Sequence, residues 1–375
     1  LKLFSLERAC DQMASMREAM VQGDACPLRT APGRRIRVLT RQLLPATLSA
    51  GDAGVRLRSK AISPSDIIFG CGPLNGIEQA TADAAVHAAL AAGVLAFDTA
   101  PLYGCSEDLL GQALAASPLG EKAVVYTKVG KLIRKLGFMR TVTSQGPNPW
   151  GPFAVAQDER VMVPDYSAAG ARRSHKESLE RMGLTRIHTL RLHDPDSIEG
   201  AAAEAAAPGG TLEGLRRLRE EGAIDQVSLG MNANADHLVV TPGTGGALTT
   251  AWAPSVVLDV LRSAPEGTFD STLLAYGWNL FCQDGWPVLQ ECQARGVRVH
   301  VAGIFGGLYH VNAGMAPMKG SRDDHRARRQ RWKDLAARHG VSLLAVAVAF
   351  AALPEVVDKV VMGMRTAKEV ETNLA

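Results

Sequence analysis

The 375 residues are 46% hydrophobic and 21% charged with a formal net charge of +3, a composition that supplies a large core and excludes a disordered chain. Residues 1–60 hold 11 Lys plus Arg against 5 Asp plus Glu, leaving 30 basic and 33 acidic residues beyond position 60; that slightly acidic body argues against a nucleic-acid surface. Six scattered cysteines (Cys10, Cys26, Cys71, Cys105, Cys282 and Cys292) form no CxxC pair, which argues against a disulfide framework or a zinc site and for a reducing, cytoplasmic setting.

The chain divides at about residue 60. Residues 1–60, containing GRRIRVLTRQLLPATLSAG, read as a basic leader or poorly ordered extension, with organelle targeting as one use for it and Glu7, Asp11, Glu18 and Asp24 against that use. Residues 61–375 read as one domain. Within it, eight apolar or β-branched runs alternate with segments of helical period: DIIFGCG (66–72), VLAFDTA (94–100), AVVYTKVG (123–130), IHTLRLHD (187–194), IDQVSLGMN (224–232), STLLAY (271–276), VRVHVAGIF (297–305) and VDKVVMGM (357–364). This is the pattern of repeated β-α units on a parallel sheet.

Helices are expected between the strands, among them IEQATADAAVHAALAAG, SEDLLGQALAAS, SAAGARRSHKESLERMG, TLEGLRRLREEG, PVLQECQARG and DDHRARRQRWKDLAARHG. Most stop at a glycine, and Ser106 and Thr211 are expected to cap two of them. Residues 131–166 and AAAEAAAPGG at 201–210 read as loops, the first long enough for a lid. LLAVAVAFAAL at 343–353 is too short to cross a bilayer and reads as a core helix, so no membrane span is expected. A Rossmann sheet is the rival architecture, but no GxGxxG follows the first strand. Eight strands point to an α/β fold of the (β/α)8 TIM-barrel type, whose chemistry sits at strand C-termini.

Four polar residues fall on that rim: Asp98 ends strand two, Tyr103 follows it, Lys128 ends strand three and His193 ends strand four. Singly, each has a bland reading as a cap, a solvated charge or a packed ring. Together they suit proton transfer at a carbonyl. A lysine beside a tyrosine is expected to lower the phenol's pKa from about 10 toward the working range, with Asp98 orienting the lysine and His193 donating to the substrate oxygen.

Several motifs in order, FDTAPLYG.SE..LG.AL, YTKVG, SLERMGL with LHDPD, and GMN, resemble the aldo-keto reductases over roughly residues 64–374. Within that family the chain is most similar to the aldose 1-dehydrogenases and related pyridoxal dehydrogenases. The resemblance implies a barrel that holds a nicotinamide cofactor without a Rossmann domain, with Tyr103 as general acid or base assisted by Asp98, Lys128 and His193. It also implies that Asn232 binds the nicotinamide carboxamide, that Gln283 assists, and that Trp278 or Tyr276 supplies an aromatic face. Gly363, Arg365, Thr366, Glu369 and Asn373, in GMRTAKEVETNL, fall where family members grip the adenosine half.

Relatives that prefer NADP generally have a basic side chain where Glu369 stands. A carboxylate there repels a 2′-phosphate and accepts from a free ribose hydroxyl, so NAD is favoured over NADP, with Arg365 and Lys368 as the counter-argument. No metal is required. The expected partner is a small sugar or aldehyde, with no nucleic acid or membrane, and the chain is expected to be a monomer or weak homo-oligomer. Family members cap the barrel with C-terminal segments, so a truncated C-terminus is expected from a chain ending within a helix at Ala375. Two alternatives remain: a cofactor-binding regulatory subunit, and a metal-dependent hydrolase using His193, Asp194 and Asp196.

Overall fold

The eight apolar runs form eight parallel strands: β1 Ile67–Gly70, β2 Ala96–Asp98, β3 Val124–Val129, β6 Thr189–His193, β7 Gln226–Asn232, β10 Ser271–Ala275, β11 Arg298–Ala302 and β12 Val357–Gly363. They close on themselves in the order β1-β12-β11-β10-β7-β6-β3-β2. The structure is a computed structural model and describes residues 55–59, 61–135, 160–233, 238–240, 248–251, 254–306 and 322–375. The predicted leader lies outside these residues up to position 54, as do residues 136–159 of the expected lid. The barrel strands are buried on both faces, which is why they read as near-continuous apolar runs.

Two antiparallel hairpins are added, β4 Lys131–Lys135 with β5 Arg160–Pro164, and β8 Leu238–Val240 with β9 Leu248–Ala251. The first corrects the loop expected at 131–166, whose two ends pair as strands. Helices α1 Gln79–Ala91, α2 Ser106–Ala115, α3 Ala168–Met182, α4 Ala201–Ala206, α5 Thr211–Glu220, α6 Pro254–Ser263, α7 Trp286–Arg295, α8 Arg322–Arg338, α9 Leu343–Ala351 and α10 Ala367–Leu374, with short 3-10 turns at Pro64–Asp66, Gly72–Leu74, Gly120–Lys122 and Pro195–Ser197, complete the described elements. The AAAEAAAPGG loop is corrected too, because its alanines form α4 before Pro208 and two glycines end it. Among the described residues no single helix is long and apolar enough to cross a membrane.

Two caps are also corrected. Ser106 is the first residue of α2, not its cap, and its hydroxyl lies 2.6 Å from Thr99 Oγ1. Thr211 likewise begins α5 and donates to the Tyr166 carbonyl at 2.6 Å. Working caps are Ser167, which accepts from Gly170 N, and Ser342, which accepts from Ala345 N. Gly183 ends α3 at φ 63°, in the left-handed region expected of it.

The core has two parts. The larger lies between strands and helices and includes Phe69, Phe97, Leu190, Leu192, Leu229, Val299 and Phe350. The smaller fills the lumen with Ile68, Ala96, Tyr126, Leu273 and Val361. Alternation along each strand therefore sends Asp98, Lys128, Arg191 and His193 to the lumen side, opposite the leucines that pack on the helices.

Candidate active site

Strand register brings the rim together. Asp98 lies opposite Tyr126 in the β2–β3 pairing, and Lys128 lies opposite Arg191 in the β3–β6 pairing. Lys128 Nζ donates to Asp98 Oδ1 at 2.5 Å and to the Thr99 carbonyl at 2.7 Å, and sits 4.5 Å from the centroid of the Tyr103 ring. The His193 ring meets Tyr103 edge-on, with centroids 6.1 Å apart. The four residues expected at the mouth therefore share one site.

Local bonds hold the Tyr103 loop. Tyr103 N donates to the Ala100 carbonyl at 3.0 Å, Ser106 N donates to the Tyr103 carbonyl at 3.1 Å, and Cys105 N donates to Asn75 Oδ1 at 3.3 Å. Gly104 takes φ +61°, and a Cβ there would collide with Asn75 Oδ1, so both the turn and the close approach require glycine. Behind the loop, buried Glu107 accepts from Thr127 Oγ1 and from Arg181 Nε, each at 2.6 Å, and locks α2 to β3 and α3.

Burial dominates the electrostatics. It pushes the Tyr103 phenol above its ordinary value; Lys128 opposes that, and Asp98 adds to it. The lowering expected from the lysine is thus outweighed by loss of water around the hydroxyl. Burial would raise the Asp98 carboxyl, but Lys128 and Arg191 more than offset it and hold it below the usual carboxylate range. Lys128 is held above its ordinary value: burial acts against its charge, and Asp98 and Tyr103 overcome it. His193 is driven well below its ordinary value by burial and by Lys131 and Lys128, so its imidazole is neutral at neutral pH.

Around these four stand Asp194, Asp196 and Asn232, which the sequence marked for other roles, and Lys131, which it did not mark. Asp194, at φ 39°, follows His193; its Oδ2 lies 3.5 Å from His193 Nε2 and 3.7 Å from Lys131 Nζ. Its Oδ1 accepts from Asn232 Nδ2 at 3.3 Å, tying Asn232 to the site. Burial raises the Asp194 carboxyl, and with the charge of Asp194 it pushes Asp196 up to about 7. Among the described residues, no three His, Cys, Asp or Glu side chains converge to hold a metal ion. Below the mouth, Arg191 bonds Asp98. An arginine alternating with leucines in RLH of a doubly buried strand was the available signal, since such a charge needs an opposite charge across the lumen.

The remaining expected residues divide. Trp278 is 0% exposed, stacked on Phe350 at 5.0 Å and against Trp286 at 5.4 Å, so its faces are covered and the assignment moves to Tyr276. Tyr276, at φ 63°, has its ring against Gly303, where a Cβ would collide with it. Burial raises its phenol, and the charge of Tyr103 adds to the effect. Gln283 Nε2 donates to the Asn279 carbonyl at 2.5 Å, within its own turn.

Gly363 ends β12, and Thr366 caps α10 by accepting from Glu369 N at 3.1 Å. Glu369 accepts from Arg365 N at 2.7 Å and Arg365 Nη2 at 3.4 Å, so its carboxylate closes the cap and does not stand free. Asn373 instead lines a groove of about 250 Å³ with Arg58, Pro64 and Val348, near the N-terminal end of β1.

A sequence model of the Aldo/keto reductase family matches residues 66–375. The chain belongs to the aldo/keto reductase family. This reductase-type barrel is 30% identical over 329 residues to a pyridoxal 4-dehydrogenase of Microbacterium luteolum, covering 82% of this chain and 87% of that one. It is 28% identical over 322 residues to a D-threo-aldose 1-dehydrogenase of a Pseudomonas species, covering 79% and 84%. Among solved structures, a glycerol dehydrogenase of Gluconobacter oxydans superposes with a TM-score of 0.57 at 18% identity, covering 85% of this chain and 89% of that one, a likeness of fold. As an aldo/keto reductase, the protein is an NAD(P)-dependent oxidoreductase acting on CH–OH groups.

One prediction arises from the lumen. His300 is held at about 4, by burial, opposed by Asp358 and reinforced by Arg191. Arg191 Nη2 can only donate, so His300 Nδ1 must accept, at 2.8 Å, and a second ring proton would be repelled. The unfolded chain protonates this histidine near pH 6.5 and the folded barrel does so only near 4. Its contribution to stability is therefore complete above 6.5 and lost as pH falls through about 4, by on the order of 3 kcal/mol. Urea unfolding from pH 7 to pH 4 should show a smaller loss for His300→Gln than for wild type; equal losses would contradict it.

Proposed function

We propose that the enzyme oxidises the anomeric hydroxyl of an aldose to a lactone with NAD, Tyr103 receiving the hydroxyl proton. One observation carries this: Lys128 is bonded to Asp98 while lying 4.5 Å from the Tyr103 ring, with His193 edge-on to the same ring. The nicotinamide, when bound, accepts hydride from the substrate carbon. Tyr103 Oη takes the proton as the C–O bond gains carbonyl character, and the adjacent ammonium of Lys128 stabilises the phenolate that must precede it. Neutral His193 donates one N–H to the same oxygen and orients it. Asp98 keeps Lys128 from swinging out of the mouth.

Asn232 and Tyr276, on the same rim, are the proposed holders of the nicotinamide ring, and Gly363, Arg365 and Thr366 of the far end of the cofactor. NAD is favoured because both cations of that segment are paired, Arg365 with Glu369 and Lys368 with Glu371, each at 3.4 Å. The carboxylates of these exposed pairs offset the positive charge that would favour a 2′-phosphate and still leave Arg365 at the far end of the cofactor. The described cysteines are free thiols, which supports action in a reducing, cytoplasmic compartment. The sugar reading draws on the D-threo-aldose relative, and the pyridoxal relative supports a second substrate.

D-threo-aldoses, L-galactose, pyridoxal and simple alcohols, each assayed with NAD and with NADP by absorbance of the reduced cofactor, test the proposal. Turnover of an aldose with NAD several-fold above NADP is expected. Turnover of pyridoxal and no sugar would replace the aldose reading.

A further inference from the structure

The lumen holds more charge than the chemistry at the mouth requires. Arg191 is 0% exposed in the middle of β6. Its Nε donates to Asp98 Oδ2 at 2.7 Å, Nη1 to Ser228 Oγ at 2.6 Å and Nη2 to His300 Nδ1 at 2.8 Å. Its Cζ lies 4.9 Å from the Tyr126 ring centroid, and Gly230 on β7 lies alongside its side chain. Beyond it, His300 Nε2 faces Asp358 Oδ2 at 3.7 Å, and that aspartate side chain is 35% exposed. A continuous polar file thus runs from the catalytic mouth through the barrel to solvent.

Burying a guanidinium is costly unless its hydrogen bonds are met, and here they are met by Asp98, Ser228 and His300. Lys128 is already held by Asp98 Oδ1 and the Thr99 carbonyl, so Arg191 is not needed to fix the lysine in place. Its effect is on charge. We infer that Arg191 is a positioning residue that sets the charge balance of the proton-transfer centre: it takes one carboxylate oxygen of Asp98 while Lys128 takes the other, and so leaves Lys128 as a net cation against Tyr103. This rests on the assignment of Tyr103 as the proton acceptor made above.

The charge count explains the sign. Asp98, Lys128 and Arg191 together carry one net positive charge beside the phenol, because an arginine is a permanent cation; without Arg191 the sum is zero and the phenolate loses its net attraction. Other groups facing the centre come from several elements. They are His193 and Asp194 at the end of β6, Lys131 on β4, Cys71 after β1, Tyr276 after β10, and Tyr126, His300, Arg298 and Asp358 lower in the barrel. Cys71 N donates to the Asp98 backbone carbonyl at 2.8 Å, and among the described residues only Lys128 and Arg191 form ion pairs with the Asp98 carboxylate.

The test titrates the phenol directly. Near-ultraviolet phenolate absorbance of the full chain, with and without Tyr103→Phe, isolates Tyr103 in wild type, Arg191→Gln, Arg191→Lys and the double variant Asp98→Asn/Arg191→Met. Arg191→Gln should move the Tyr103 midpoint up by about one pH unit or more. Arg191→Lys should leave it near the wild-type position. The double variant, which again leaves one net positive charge, no unpaired carboxylate and an amide oxygen at position 98 to accept from Lys128, should also titrate close to wild type, and it keeps the inference testable if Arg191→Gln does not fold. An unmoved midpoint in Arg191→Gln, or a double variant shifted up by a unit or more, overturns it. So does a loss of turnover by one factor at every pH in both single variants, the mark of a purely structural arginine. Failure of the Tyr103 assignment shows separately, as turnover surviving Tyr103→Phe, because the titration needs no activity.

Discussion

Tyr103→Phe should lower kcat for alcohol oxidation on the order of 100- to 10,000-fold while leaving cofactor affinity within about twofold. Lys128 sits over the phenol ring and the His193 ring meets it at 89°, and on the proposed reading its hydroxyl exchanges the proton with the substrate oxygen. Phenylalanine preserves the ring beside Gly72, where an added Cβ would lie 3.6 Å from Tyr103 Cδ2 and Cε2, so the loop should keep its shape. Steady-state rates with a fluorescence titration of the cofactor separate the two quantities. A variant with near-normal kcat would remove Tyr103 from the chemistry.

Asp98→Ala should destabilise the folded chain by about 3 to 5 kcal/mol, the cost of leaving buried charges without their partner. Two cations depend on this carboxylate, Lys128 at 2.5 Å and Arg191 at 2.7 Å, and both side chains are almost wholly buried. Against a typical total of about 5 to 15 kcal/mol that is a large fraction. Urea unfolding gives the number, and Asp98→Asn, which keeps the shape and loses the charge, should show a substantial part of it. A loss below about 1 kcal/mol in Asp98→Ala would mean that the pairs do not stabilise the barrel. Turnover should fall with either variant, since Lys128 loses the carboxylate that directs it.

The sequence made the barrel legible because each strand is a short apolar run buried on both faces. Glycine or proline punctuates those runs, and eight of them in register leave little other architecture. The four rim residues were legible for a related reason: each interrupts an apolar strand at its C-terminal end or in the loop just beyond. Arg191 was less visible because its partner lies far away in sequence at Asp98, and only the alternation Arg191, His193 against Leu190, Leu192 marks it as inward. Trp278 misled because an aromatic near a strand end has two destinations, and the stack with Phe350 is set by a helix far along the chain. Glu369 misled in another way. Its spacing from Thr366 is that of a capping box, and the local bond competes with any role toward a ribose. Ser106 and Thr211 show the converse, hydroxyls that read as caps but are used for tertiary bonds to Thr99 and Tyr166.

The pH dependence of alcohol oxidation, compared between wild type and Tyr103→Phe at saturating substrate and cofactor, tests the central claim most directly. Because burial holds the phenol above its ordinary value, Tyr103 is protonated at neutral pH and the fraction able to accept a proton grows about tenfold per pH unit below its midpoint. Wild type should therefore gain rate steadily into the alkaline range, and the residual rate of the phenylalanine variant should be flat there. The same alkaline rise in both proteins would show that another group takes the proton.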